Sequence, residues 1–204
     1  MQFTEKKFNL GELKGISQKT VEEHLKLYAG YVKNSNLLLQ KLEEATPGMD
    51  FSSPSGQGYA YAMSETQRRF GFEYDGMRNH EVYFDSLSDG ASPITKDGEL
   101  EKCIIYLWGS FDNWLARFKA IAMTRGVGWA MLYLDNAEHR LLNAYVEDHQ
   151  LGQLVGCTPI LALDMWEHAF VADYQPSGKK NYVENFFSNL NWKKIEENMD
   201  NASK

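Results

Sequence analysis

The stretch Thr158-Pro159-Ile160-Leu161-Ala162-Leu163-Asp164-Met165-Trp166-Glu167-His168-Ala169-Phe170 sets a carboxylate and an imidazole four residues apart at the end of an apolar run. Residues 158–163 read as a short buried strand bounded by polar residues. Asp164 then stands at a strand end facing the interior, where an unpaired charge is costly. On a helix, positions i and i+4 share one face, and across a strand-to-helix junction the two groups could still converge. A bound cation would offset the burial cost. An Asp N-cap followed by a surface His gives the same spacing, but the apolar run before Asp164 favours the metal-capable reading.

Working outward, the chain divides near residues 86–98 (SLSDGASPITKDG), the best linker candidate. Before it, Val21, Leu25, Tyr28, Val32 and Leu39 recur at helical spacing behind a plausible N-cap, Ser17, predicting a long helix over 17–42. Residues 47–58 are rich in Gly, Pro and Ser and read as a loop, and 59–87 returns to helical composition. Two helices joined by a loop predict a hairpin. After the linker, 100–123 reads as helix with a break at Gly109-Ser110. Bulky runs at 129–134 and 141–146, separated by the polar Asp135-Asn136-Ala137-Glu138-His139-Arg140, then predict an antiparallel hairpin. With 158–163 they make a three-stranded antiparallel sheet, followed by a helix through His168 and a terminal helix over 182–198. The fold class is α+β: an N-terminal helical-hairpin domain, 1–88, and a C-terminal α/β domain, 89–204.

A chain of 204 residues can bury a sizeable core without disulfides, and its only cysteines, Cys103 and Cys157, lie in apolar surroundings. Free thiols, an N-terminus without a hydrophobic signal core and the lack of any membrane-length apolar run predict a cytoplasmic protein with no membrane partner. The net charge of -7 argues against nucleic acid as a partner. Five Trp, eleven Tyr and eleven Phe read as core and interface.

Five histidines are present: His24, His80, His139, His149 and His168. His139 falls in the polar turn and is expected to be exposed. His24 and His80 lie among apolar residues of the two predicted helices. Singly, each would read as a satisfied core or surface His. Together with Asp164 and His168 they form a three-nitrogen, one-carboxylate set that suits iron or manganese better than a structural zinc, for which Cys-rich sets are usual. Spacing alone leaves their convergence open.

Asp164-Met165-Trp166-Glu167-His168-Ala169 also matches the D-x-W-E-H-A signature of the iron/manganese superoxide dismutases, which the sequence resembles over nearly its whole length. Partial matches are Asn79-His80 with Tyr83-Phe84, Gly126-Val127-Gly128-Trp129, Asn191-Trp192, and Tyr31-Val32-Lys33-Asn34-Ser35-Asn36. The resemblance implies one Fe or Mn ion per subunit, held between the two halves by His24, His80, Asp164 and His168, and disproportionation of superoxide. It implies that Tyr31 guards the substrate entrance. It further implies a homodimer in which Glu167 reaches His168 across the interface. A catalytically silent metal-binding protein of the same fold is the alternative, and loss of a ligand would be its mark.

The match departs from the family at four places. One residue is missing between His24 and Tyr31, so an ungapped reading would put Glu23 at the first ligand position. A one-residue deletion rotates a helix by about 100°, which the chain tolerates if it lacks a π-bulge that the family carries there. Leu27-Tyr28 replaces the family's usual His-His pair, and Val171, after Phe170, stands where a Tyr is usual after E-H-A-Y. Gly76 occupies one of the family's two positions for a Gln beside the metal-bound solvent, and His149 occupies the other, resembling the subset that uses His to donate to that solvent.

Overall fold

The computed structural model describes residues 2–44 and 50–203. Helix α1, Gln18–Glu43, begins where Ser17 accepts a hydrogen bond from the Thr20 N–H, and it buries Val21, His24, Tyr28, Val32 and Ser35 at intervals of three or four. Helix α2, Pro54–Ser86, starts inside the predicted loop. Ser53 caps it by accepting from the Gly56 N–H, and Pro54 in the first turn has no N–H to leave unsatisfied. Residues 47–49 of that loop lie outside the described residues. The contacts His24 with His80, Tyr31 with Gly76 and Asn34 with Glu73 run in opposite chain directions, so α1 and α2 form the expected antiparallel pair.

Helices α3, Glu99–Trp108, and α4, Phe111–Ala122, are separated at Gly109, whose φ of 83° ends the first, and at Ser110, whose side chain caps the second. Strands β1, Gly128–Asp135, β2, Leu141–Glu147, and β3, Cys157–Asp164, form an antiparallel sheet in the order β2-β1-β3. Central β1 is buried from Gly128 to Leu134. Pro159 sits on edge strand β3 at a register shift opposite Leu132 and Tyr133, where its missing N–H costs least.

Two expectations after the sheet are corrected. The helix through His168 is one 3₁₀ turn, Glu167–Ala169, followed by the short α5, Val171–Tyr174. The terminal helix over 182–198 is two helices, α6, Lys179–Asn189, and α7, Trp192–Ala202. Asn191 breaks the run because its backbone N–H donates to Ser86 O and its side-chain amide to Ser88 O, tying the junction to the end of α2. One hydrophobic cluster runs from Val21 and Met77 in the hairpin to Trp129 and Leu161 in the sheet and Phe186 in α6. Among the described residues no helix is long and apolar enough to cross a membrane.

Candidate metal centre

Asp164 ends β3 opposite Trp129 of β1, which places a carboxylate at 0 % exposure where the sheet meets the hairpin. The Trp166 N–H donates to Asp164 Oδ1 at 2.8 Å, and this turn directs Oδ2 inward. There Oδ2 lies 3.0 Å from His168 Nε2, 3.1 Å from His24 Nε2 and 3.5 Å from His80 Nε2. One donor atom from each of the four residues falls within 4.8 Å of the others. Helices α1 and α2 each supply one imidazole, and the strand end with its following turn supplies the other two groups.

The donor chemistry fits a metal ion. His80 Nδ1–H donates to Gly76 O at 2.6 Å, which leaves Nε2 with a bare lone pair. That Nε2 is buried without a hydrogen-bond partner among the described residues, yet it faces a carboxylate oxygen. A cation between the lone pair and the anion would satisfy both. Burial pushes the His24 and His80 imidazoles down, so both are neutral. For Asp164, burial alone would raise the carboxyl, but its interactions with His168 and His24 outweigh this and hold it well below the usual carboxylate range. His24, His80 and Asp164 are therefore in forms that could bind a metal ion.

The alternative first ligand, Glu23, lies apart from this cluster. Glu23 is largely exposed and pairs with Lys26 at 2.7 Å, whereas His24 is 2 % exposed and faces Asp164. Helix α1 is α-helical throughout, with no π turn. Seven residues at about 100° each bring Tyr31 to within about 20° of His24 after two turns, so the shorter spacing aligns both on one face without a bulge. Tyr31 packs against Gly76, where an added Cβ would come within 2.7 Å of the Tyr ring.

His149 is fully buried beside this pair. Trp129 Nε1–H donates to its Nδ1 at 3.0 Å, which fixes the proton on Nε2, and Nε2–H donates to Tyr31 Oη at 2.7 Å. The Tyr31 phenol is thus the protein acceptor of the His149 Nε2–H. Burial pushes the imidazole down to about 4, so it is neutral at neutral pH. Burial raises Tyr31 well above the usual phenol range, so it keeps its proton. Aromatic rings close the surroundings: Trp166 stacks on His149 and His168, Trp129 meets His80 edge-on, and Tyr83 lies 5.0 Å from His24. His139 is exposed in its turn, as expected.

Residues whose part at His149 the sequence did not show hold it in place. Its carbonyl accepts from Asn79 Nδ2 and Gln153 Nε2, and Asp148 before it adopts a φ of 49°. Asn79 belongs to the Asn79-His80 match and adjoins the candidate ligand His80, but nothing in the sequence marks Gln153. Phe72 was also missed; its ring lies 4.5 Å from His149. In place of the family's His-His pair, Leu27 is exposed, while buried Tyr28 accepts from the Lys6 N–H and donates to Glu81.

Residues 96–198 match the model for the iron/manganese superoxide dismutase C-terminal domain. The chain is 37% identical over 175 residues to a manganese superoxide dismutase of Mycobacterium intracellulare, covering 85% of this chain and 79% of that one. It is equally similar, over the same shares, to an iron superoxide dismutase of Mycobacterium tuberculosis. An iron superoxide dismutase of Cupriavidus metallidurans is 34% identical over 186 residues, covering 90% of this chain and 88% of that one. With these relatives spanning both halves, and four donors drawn from both halves to one point, the chain belongs to the iron/manganese superoxide dismutase family.

Proposed function

We propose that this chain disproportionates superoxide to oxygen and hydrogen peroxide at one iron or manganese ion held by His24, His80, Asp164 and His168. The observation that carries the reading is the lone pair of His80 Nε2, buried without a hydrogen-bond partner and facing Asp164. A metal there supplies a reversible one-electron step, so that one superoxide loses an electron and the next gains one while two protons are taken up.

The protein's own residues set the rest. Three neutral imidazoles and one carboxylate leave a di- or trivalent ion with net positive charge, which favours a small anion in an acidic protein. Tyr31 keeps its hydroxyl proton and accepts from His149 Nε2–H, so that hydroxyl is free to donate towards an oxygen of the bound anion. His149 acts through Tyr31, and Trp129 holds it in the donating tautomer. Trp129, Trp166 and Tyr83 limit water and larger molecules at the ligands.

On this reading residues 1–88 and 89–204 are two domains with the metal between them, supported by a C-terminal family match that begins at residue 96. A homodimer is supported by the exposed Glu167 beside His168, whose side chain keeps 20 % exposure although it is a proposed ligand. Two free cysteines suit the reducing cytoplasm. The test is to strip the protein of metal, reload it separately with iron and manganese, and assay dismutation against metal content. Activity should follow the loaded metal, and His80→Ala should lose both. Full metal loading without dismutation would instead support the silent protein of the same fold.

A further inference from the structure

Superoxide is an anion and the chain carries a net charge of -7, so its approach depends on local positive charge. On the surface of α2, Arg69 lies over one face of Phe72, with its guanidinium carbon 3.8 Å from the ring centroid. The Phe72 ring in turn lies 4.5 Å from His149, 6.2 Å from Tyr31 and 6.3 Å from Trp166. Arg69 Nε donates to Glu73 Oε1 at 2.9 Å, and Glu73 is anchored from α1 by Asn34 Nδ2 at 3.2 Å. The guanidinium is therefore held in one place, one aromatic ring away from the Tyr31–His149 pair.

We propose that Arg69 draws the superoxide anion to the mouth of the site, an inference that rests on the dismutase reading. Glu73 opposes it in sign but differs in exposure: its side chain is 5 % exposed and that of Arg69 51 %. An anion arriving from solvent meets the positive end of the pair first. The planar guanidinium also covers Phe72, so the same residue fixes the ring that borders His149.

Steering and a merely structural latch predict different outcomes. The second-order rate constant for superoxide is measured by pulse radiolysis on metal-quantified protein, from about 0.01 M to about 0.5 M salt. Steering by one charge predicts that Arg69→Gln lowers the constant about two- to fivefold at low salt and that the gap closes at high salt. Arg69→Lys should stay near the parent. Glu73→Gln removes an opposing charge and should raise the low-salt constant. A latch would make both Arg69→Gln and Glu73→Gln lower the constant by a salt-independent factor, and that result overturns the proposal. Azide affinity, read by absorbance titration of the loaded protein, should weaken in Arg69→Gln and strengthen in Glu73→Gln; equal affinities count against steering. A parent protein that binds metal and azide but does not dismute superoxide would sink the dismutase reading instead.

Discussion

His149 shows how one side chain is constrained from two sides. Its Nδ1 accepts from Trp129 and its Nε2–H donates to Tyr31, so a replacement must supply one acceptor and one donor at similar places. Glutamine can do so with its amide oxygen and nitrogen, and alanine cannot. We expect His149→Gln to keep metal content while changing the ratio of iron-supported to manganese-supported activity, because the new group donates to Tyr31 with different strength. Each pK unit of unequal stabilisation between the two oxidation states is worth about 1.4 kcal/mol, or about 59 mV for one electron. His149→Ala should depress activity with either metal. It also leaves the buried Trp129 N–H without its acceptor, which costs about 1–3 kcal/mol of stability. Separately loaded, metal-quantified protein and a denaturant titration check both statements. An unchanged activity ratio in His149→Gln would mean that the hydrogen bond to Tyr31 does not tune the metal.

At the scale of the element, α1 holds two functional groups in phase by length alone. Inserting one alanine after Lys26 would turn everything beyond it by about 100°, carrying Tyr31 away from Gly76 and His149 while His24 stays with Asp164. The insertion should therefore retain much of the bound metal yet lose most activity, by metal analysis and assay on the same sample. Full activity would mean that the helix absorbs the residue as a π turn, and that phase is not what positions Tyr31. The same helix shows what sequence could reveal. Its cap, its buried face and the break at Gly109-Ser110 were legible because each is set by local chemistry. The split between α6 and α7 was not, because Asn191 is held by Ser86 and Ser88, about a hundred positions away in the chain. For the site, His24, His80, Asp164 and His168 could be picked out by residue type and surroundings, whereas their convergence depends on how the sheet meets the hairpin. Gln153 and Arg69 carry no local mark, since their meaning comes from a carbonyl and an aromatic ring brought close only by the fold.

Across the whole molecule, assembly depends on a contact beyond one chain, and the pH response of the metal-free protein on its buried titratable groups. In the proposed dimer, Glu167 accepts from His168 of a second copy, so Glu167→Ala should weaken both association and activity, by light scattering and assay at micromolar concentration. Native protein that is monomeric and fully active would remove that argument. The pH response of the metal-free protein has two opposing parts. Burial pushes down the imidazoles of His24, His80 and His149, the last to about 4 from 6.5. Below about pH 6.5 the unfolded chain binds protons that the folded chain refuses, so stability is lost as pH falls through that window. Asp75 acts in the other direction, because burial raises its carboxyl from 3.8 to about 6. Above that value the folded chain holds a partly buried charge that the unfolded chain carries in water, and this penalty disappears as Asp75 takes up a proton on acidification. Its full shift would correspond to about 3 kcal/mol; with the carboxyl only about half buried, solvent screening reduces this to about 1 kcal/mol. Asp75→Asn should then stabilise the metal-free protein by that amount near pH 8, and the gain should shrink towards zero near pH 4.5, making the loss of stability on acidification steeper than in the parent. Thermal unfolding of both proteins at the two pH values decides it, and a stability difference that does not change with pH would show that Asp75 carries no burial penalty.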